Sequence, residues 1–246
     1  MTRKLFDITG TDRVDFLQGL ITNDMAKLKH GLLYAALLTP QGKFLTDFFL
    51  LERGDTITLD APASTAEDLL RRLTMYRLRA DVQIAPSTLN VKRGTGTAPD
   101  NALPDPRHDA LGWRLYGAES GDDGTDYAAI RVAHCIPKTG VELIPNETYI
   151  LEAGFESLNG VDFRKGCYVG QEIIARMKHK TTLKKGYVTV NITGTAPAGT
   201  PVTSDGKPAG TLFTQSGNRA IAYLRFDRAQ GELRAGEATL TAPTLP

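Results

Sequence analysis

Apolar and polar residues alternate along the first ninety positions in a pattern that predicts a mixed unit of strands and helices. Strand-length apolar runs, separated by turn residues, lie at 4–8, 32–38, 44–51, 56–59 and 81–85. Apolar residues at helical spacing follow a capping position at Thr11 or Asp12, and do so again after a Ser64–Glu67 capping box. Helices mixed with antiparallel hairpins in this order indicate an α+β fold and not a doubly wound parallel sheet.

The remainder of the chain leads to short, evenly spaced strands. Residues 94–109 are rich in glycine and proline, which predicts a long surface loop. A strand, a helix and a further strand are predicted next, at 112–116, 127–132 and 141–144. From Gly186 onward, short alternating strands predict a small β-barrel or sandwich. We therefore expect a main region at 1–185, with subunits of about 1–90 and 91–185, and a barrel at 186–246.

Composition narrows the class of protein. The 246 residues are 41% hydrophobic and 23% charged, which suits a packed core and excludes a wholly disordered chain. Lys plus Arg number 29 against 28 Asp plus Glu, so a globally basic nucleic-acid-binding protein is not expected. No signal peptide or membrane-length apolar run is evident, and the only cysteines are Cys135 and Cys167. These features predict a protein of the reducing cytoplasm.

The residues around Cys167 form the most unusual segment of the chain, 163–176. Flanking glycines allow tight turns that leave the sulfur accessible, Lys165 adds positive charge, and the residues from Gly170 predict a helix N-terminus. Such surroundings favour the thiolate, the form that attacks electrophiles and binds metals. The alternative is a cysteine packed as a small apolar residue, with the glycines serving only a turn.

The motif Lys165-Gly166-Cys167-Tyr168-x-Gly170-Gln171-Glu172 resembles the signature of the YgfZ family, folate-binding proteins of iron–sulfur cluster maintenance that include a mitochondrial assembly factor. Three further segments resemble pieces of that family, at residues 16–24, 39–48 and 76–82. The likeness extends over about residues 5–190. The family is related in turn to the glycine cleavage T-protein, a tetrahydrofolate-dependent aminomethyltransferase.

These relationships imply two ferredoxin-like α+β units and a C-terminal β-barrel around a folate channel. They imply tetrahydrofolate as the cofactor and no permanently bound metal. The implied partners are iron–sulfur clients or assembly proteins, with radical S-adenosylmethionine enzymes among the clients. Cys167 would be the functional thiol and a transient cluster ligand. Neither a membrane nor a nucleic acid is expected as a partner.

The resemblance also implies residues for the folate. A carboxylate suits the paired N–H donors of a pterin ring, and Glu142 falls at the glutamate position of the related folate proteins, so we predict it as the pterin anchor. The alternative for Glu142 is an edge-strand acid that faces water. The other predicted cofactor-binding residues are Asn23, Asp24, Asp47, Lys165, Gln171 and Glu172. Asn23 and Asp24 could instead only end a helix, and Glu172 could only complement a helix dipole.

Two other functions stay open at this point. T-proteins carry an Asp–Asp pair in the hairpin that corresponds to residues 41–48, whereas this chain keeps only Asp47, which puts aminomethyl transfer in doubt. A folate protein linked to tRNA modification is the second alternative, and it requires salt-dependent RNA binding. Arg71, Arg72, Arg77 and Arg79 suit an acidic partner or a folate polyglutamate tail, although most such runs are solvated faces. Cys135 departs from the family pattern and receives no role.

Overall fold

The computed structural model describes residues 2–243, which divide into two compact units. Unit 1 consists of residues 2–125, 145–147 and 155–175. Unit 2 consists of residues 126–144, 148–154 and 176–243. The domains expected from the sequence are continuous stretches, whereas each of these units combines segments that are distant in sequence. The expected domain boundaries remain predictions.

Unit 1 contains two sheets and the helices packed on the larger one. The strands are β1 Arg3–Thr9, β2 Leu33–Leu38, β3 Phe44–Arg53, β4 Thr56–Pro62, β5 Gln83–Pro86, β6 Asn90–Gly94, β7 Leu103–Pro104, β8 Trp113–Gly117 and β9 Gly121–Asp122. The helices are α1 Arg13–Gln18 and α2 Ala63–Arg77, with 3₁₀ turns at Met25–His30 and Asp109–Leu111. The larger sheet has the order β2-β3-β4-β1-β5 and is antiparallel throughout; the smaller has the order β7-β8-β6-β9.

One face of the larger sheet carries the apolar core of unit 1. Phe48 and Leu50 of β3 alternate inward and pack with Leu69 and Leu73 of α2. The helix begins at Ala63 with Pro62 at its N-cap, so Ser64 lies inside the first turn and the predicted capping box is wrong. The β2–β3 hairpin forms as predicted.

The predicted surface loop at 94–109 is wrong in part. It contains β7 and the start of a 3₁₀ turn, and the Asp105 side chain within it is only 3% exposed. Glycine and proline content indicates loops well, but it does not reveal a buried acid whose cationic partners lie elsewhere in the sequence.

Unit 2 contains α3 Tyr127–Ala133 and a closed barrel. The barrel strands are β10 Lys185–Thr193, β11 Pro201–Ser204, β12 Lys207–Ser216, β13 Arg219–Arg225, β14 Leu233–Ala235 and β15 Ala238–Thr241. Their order is β10-β13-β12-β11-β14-β15, and pairing of β10 with β15 closes the ring, which leaves no free strand edge. Alternating residues such as Val190, Ile192 and Leu240 fill its interior. The α+β class and the C-terminal barrel are confirmed.

The strand predicted at 141–144 is wrong. Val141 and Glu142 lie in a turn, in which both their N–H groups donate to the Lys138 carbonyl at 3.1 Å. The remaining helix, α4 Gln171–Lys180, follows the Cys167 motif as predicted. Within residues 2–243, no helix combines the length and apolar character needed to cross a membrane.

Candidate functional site

Cys167 lies in the loop that leads into α4, and it is exposed. A depression of about 460 Å³ opens beside it, lined by Pro40 of the β2–β3 turn and by residues 167–172. The alternative of a buried structural cysteine is therefore excluded by the exposure of this residue. An accessible thiol at the edge of a depression can meet a ligand or a partner's surface.

Lys165 anchors the loop on the side that precedes Cys167. Its buried ammonium donates to three carbonyl oxygens at and after the end of α1, at 2.7 Å to Gln18, 2.6 Å to Ile21 and 3.0 Å to Asn23. Burial lowers the pKa of Lys165 to about 8, against the opposing effect of Asp24 and Asp162. All three ammonium hydrogens have an acceptor here, which holds the loop in place and leaves none for a cofactor.

Two glycines anchor the loop on the side that follows Cys167. Gly170 has φ +82 and Gly42 of the β2–β3 turn has φ +73, and a Cβ on Gly170 would lie 3.1 Å from Cα of Gly42. A Cβ on Gly170 would lie 2.5 Å from the Thr39 carbonyl oxygen, and a Cβ on Gly42 would lie 2.9 Å from Cβ of Ile173. Neither glycine can therefore gain a side chain without moving the loop. Two motifs distant in sequence, the hairpin turn and the cysteine motif, thus form one packed site.

Gln171 and Glu172 begin α4 at the rim of the depression. The Gln171 N–H donates to the Tyr168 carbonyl at 3.2 Å, and Glu172 is exposed in the first turn of the helix. An acid in that position is stabilised by the helix dipole, as the alternative interpretation of Glu172 states.

Asn23 and Asp24 serve the turn after α1. The buried Asn23 amide donates to the carbonyls of Tyr34 at 2.8 Å and Asn159 at 2.7 Å, which uses both of its hydrogens. Asp24 caps the 3₁₀ turn by accepting from the Ala26 N–H at 3.0 Å. Asp24 thus begins the 3₁₀ turn, and α1 itself already ends at Gln18, so neither residue terminates that helix; both hold the turn within unit 1.

Asp47 lies on the face of the larger sheet opposite the apolar core. Its buried carboxylate accepts from the Tyr34 hydroxyl at 2.9 Å. Burial, with Asp47 next to it, raises the pKa of Tyr34 well above its usual value, so this hydroxyl remains a donor. Asp47 is thus tied to a tyrosine inside unit 1.

The same unit holds a buried ion-pair network that the sequence pattern did not reveal. Asp60 accepts from Arg3 at 2.6 Å and Arg114 at 3.1 Å, and Asp105 accepts from Arg114 at 3.0 Å and Arg107 at 2.8 Å. Burial acts to raise the pKa of Asp105, but the two arginines outweigh it and hold that pKa well below its usual range. An acid alternating with apolar residues in β4 was the available signal for Asp60, but nothing local identifies its partners.

Glu142 is fully buried in unit 2, which excludes the water-facing alternative. One carboxylate oxygen accepts from Arg131 Nη1 and from the Lys138 N–H, both at 2.9 Å. The other oxygen accepts from the N–H of Thr214 at 3.3 Å and from its hydroxyl. Thr214 lies where the register of β12 shifts against β13, so this bulge brings it to Glu142.

Three of the residues predicted for folate, Glu142, Asn23 and Lys165, have their hydrogen-bonding groups already occupied by the protein. A carboxylate offers about four acceptor positions, and four protein donors already occupy those of Glu142. The donors of Asn23 and Lys165 are likewise used by backbone carbonyls. Folate binding therefore remains a prediction from the resemblance, without support from this geometry.

The second thiol differs from the first in its surroundings. Cys135 follows α3 with φ +50, and burial raises its pKa to about 11, with the nearby Glu142 acting in the same direction. Among residues 2–243, no group of three His, Cys, Asp or Glu side chains could hold a metal ion.

Comparison with known proteins decides the family. Residues 184–245 match the family model of the CAF17 C-terminal beta-barrel domain. Over 98% of its length, the chain is 30% identical to the mitochondrial iron-sulfur cluster assembly factor IBA57 of Mus musculus, and the match covers 81% of the mouse protein. The chain belongs to the IBA57 family. The human IBA57 protein is 28% identical over the same shares of the two chains.

The fold is also found outside the IBA57 family. The glycine cleavage system aminomethyltransferase T of Bartonella henselae superposes with a TM-score of 0.77 over 99% of this chain and 83% of its own. At 16% identity, this likeness shows the T-protein fold and nothing of the activity. The resemblance stated from the cysteine motif is thus confirmed for the family and the fold.

The predicted cytoplasmic location is wrong. The IBA57 proteins of mouse and human are both named as mitochondrial, which points away from the cytoplasm. Two cysteines without a disulfide framework indicate a reducing compartment, but they do not distinguish one such compartment from another.

Proposed function

We propose that this protein is an iron–sulfur cluster assembly factor and that Cys167 is its functional thiol. The observation that carries the proposal is the exposure of Cys167 in a loop anchored by Lys165 on one side and by Gly42 and Gly170 on the other. Support for the role comes from the mouse and human relatives, which are named as assembly factors.

Because Cys167 is the exposed cysteine of the described residues, this protein would supply one thiolate ligand to a cluster. Clusters of the two-iron and four-iron types take four ligands, so Cys167 supplies one and an assembly protein or client supplies the others. The cluster is then cargo that passes between proteins, and the anchored loop presents the sulfur to the partner. Four-iron enzymes, with radical S-adenosylmethionine enzymes among them, are the clients we propose.

No part of this proposal depends on folate. The geometry does not support aminomethyl transfer either. Of the acid pair that T-proteins carry, this chain keeps only Asp47, and its buried carboxylate accepts a hydrogen bond from the Tyr34 hydroxyl. Neither that reaction nor tRNA modification is favoured by a specific contact in the described residues.

A rescue experiment tests the proposal. Cells that lack their own relative of this protein would express wild type, Cys167→Ser or Cys135→Ser at equal levels. We expect wild type and Cys135→Ser to restore a four-iron enzyme, and Cys167→Ser to fail, with a cluster-free enzyme unchanged throughout. Circular dichroism would show the same thermal midpoint for wild type and Cys167→Ser, because an exposed loop thiol adds little to packing.

Two outcomes would overturn the proposal in different ways. Rescue by Cys167→Ser would retain the assembly role and remove the thiol from it. Failure of soluble wild-type protein to rescue the four-iron enzyme would remove the assembly role itself.

A further inference from the structure

The C-terminal end of α2 carries a leucine in a backbone conformation that suits glycine. Leu78 follows the last helical residue with φ 47 and ψ −106. The Arg77 carbonyl accepts from the Ala80 N–H at 2.8 Å, so Leu78 is the first central residue of a four-residue turn. These angles are close to those of a type II′ turn, in which glycine dominates this position. A leucine here is therefore strained.

The side chain of Leu78 does not compensate for that strain with buried contacts. It is 87% exposed, and Met75, three residues earlier, is 59% exposed. Only three large apolar side chains are exposed among residues 2–243, and these are the two most exposed of them. A glycine at 78 would avoid both the strain and the hydration of the apolar side chain, so the stability of this chain does not explain the leucine.

Arginines flank the two apolar side chains. Arg79 is exposed, and the Arg71 side chain is 72% exposed, although it is ion-paired with Asp68. Arg77 differs, since its guanidinium turns back to the Val82 carbonyl at 3.2 Å. We call the group formed by Arg71, Met75, Leu78 and Arg79 the Leu78 surface; it is apolar in part and positively charged at Arg79.

We propose that the Leu78 surface docks a protein partner that offers an apolar pocket bordered by carboxylates. The apolar side chains would fill the pocket and leave water, while the Arg79 guanidinium would pair with a carboxylate in charge-assisted hydrogen bonds. Phosphate groups of a nucleic acid would match the arginines but would gain nothing from Leu78 and Met75. The apolar part of the surface therefore favours a protein as the occupant.

Two variants and one control test whether the Leu78 surface binds a partner. Leu78→Gly removes the exposed side chain and relieves the strained backbone, so its thermal midpoint should equal or exceed that of wild type. Arg79→Gln removes one charge, and Val14→Ala trims the third exposed apolar residue, which lies on α1. Val14→Ala is the control for the loss of any exposed apolar side chain.

The probe is a displayed library of random twelve-residue peptides, selected on immobilised full-length wild type and counter-selected on Leu78→Gly. We expect the enriched peptides to combine a large apolar residue with Asp or Glu. They should bind at least tenfold more weakly to Leu78→Gly, several-fold more weakly to Arg79→Gln, and equally to Val14→Ala.

Three results would overturn the proposal: no enrichment, enriched peptides that bind all variants equally, or a lowered thermal midpoint in Leu78→Gly. A 20-nucleotide RNA that binds wild type and Leu78→Gly alike, but Arg79→Gln less, would reassign the surface to nucleic acid. None of these measurements uses an iron–sulfur client, so their outcome is independent of the proposed function.

Discussion

Cys167 and Cys135 have the same side chain in opposite surroundings. Cys167 is exposed, whereas burial raises the pKa of Cys135 to about 11. At pH 8, only about one Cys135 side chain in a thousand would be a thiolate, the reactive form. We expect iodoacetamide at pH 8 to alkylate Cys167 in the native protein and to leave Cys135 unmodified, as measured by peptide mass spectrometry. In urea, both residues should react.

Equal alkylation of both cysteines in the native protein would contradict this assignment.

The two cysteines also illustrate which parts of the site can be recognised from sequence. The Cys167 motif is local and was recognised from its own residues, but neighbouring residues in sequence did not reveal that Cys135 is packed against Thr189 of the barrel.

At the scale of elements, the β2–β3 turn and the loop before α4 depend on one another through Gly42. Gly42→Ala would place a Cβ 2.9 Å from Ile173, and Gly54→Ala in the next hairpin turn would meet nothing within 4 Å. Both glycines have positive φ, so both variants carry a similar backbone strain of about 1–2 kcal/mol. We expect only Gly42→Ala to change the rate of Cys167 alkylation, by several-fold.

Similar alkylation rates in the two variants would show that the contact with Gly42 does not position the thiol. A shared loss of thermal stability would not distinguish the variants, which is why the rate of the thiol reaction is the deciding measurement.

Apolar patterning predicted α2 and the β2–β3 hairpin, because α2 buries one face and the continuous apolar runs of β2 and most of β3 are buried on both faces of the sheet. It did not predict the contact of Gly42 with Ile173, since these residues are more than a hundred positions apart. The pattern also predicted a strand at residues 141–144, because apolar and polar residues alternate in this turn as they do in a strand. The partner that buries Glu142 there is Thr214, in a strand far along the chain.

At the scale of the whole molecule, acid stability depends on buried ion pairs. Burial alone would raise the pKa of Asp105, but Arg107 and Arg114 lower it well below 3.8. The folded state therefore holds this proton more weakly than the unfolded state, and the resulting stability is present above about pH 4 and lost below it. We expect Asp105→Asn to lose about 3–5 kcal/mol at pH 7, because Arg107 loses its carboxylate partner and Arg114 keeps only Asp60.

The stability difference between wild type and Asp105→Asn should narrow from pH 4 to pH 2 in urea titrations. Asp227→Asn is the matched control, because Asp227 forms an exposed ion pair with Arg225 and should change little at any pH. A difference that stays constant down to pH 2 would show that folding does not lower the pKa of Asp105.

In unit 2, the buried acid Glu142 has a similar structural role. Its carboxylate accepts hydrogen bonds from Arg131 of α3, from Lys138 in the turn at 138–142 and from Thr214 of β12. Glu142→Gln places an amide N–H₂ against groups that are themselves donors and leaves Arg131 without its counter-charge. We expect a loss of about 3–5 kcal/mol in the free energy of unfolding. Glu152→Gln, a buried acid that accepts from the Tyr223 hydroxyl, should cost less.

Titration of both variants with tetrahydrofolate separates the two roles considered for Glu142. If Glu142 holds unit 2 together, the variant is destabilised, and any folate affinity measured under conditions where it stays folded matches that of wild type. If it anchors a pterin, the thermal midpoint is unchanged and folate affinity falls. The four donors already on its carboxylate favour the first result, because a ligand would have to displace groups that are fixed in the fold of unit 2.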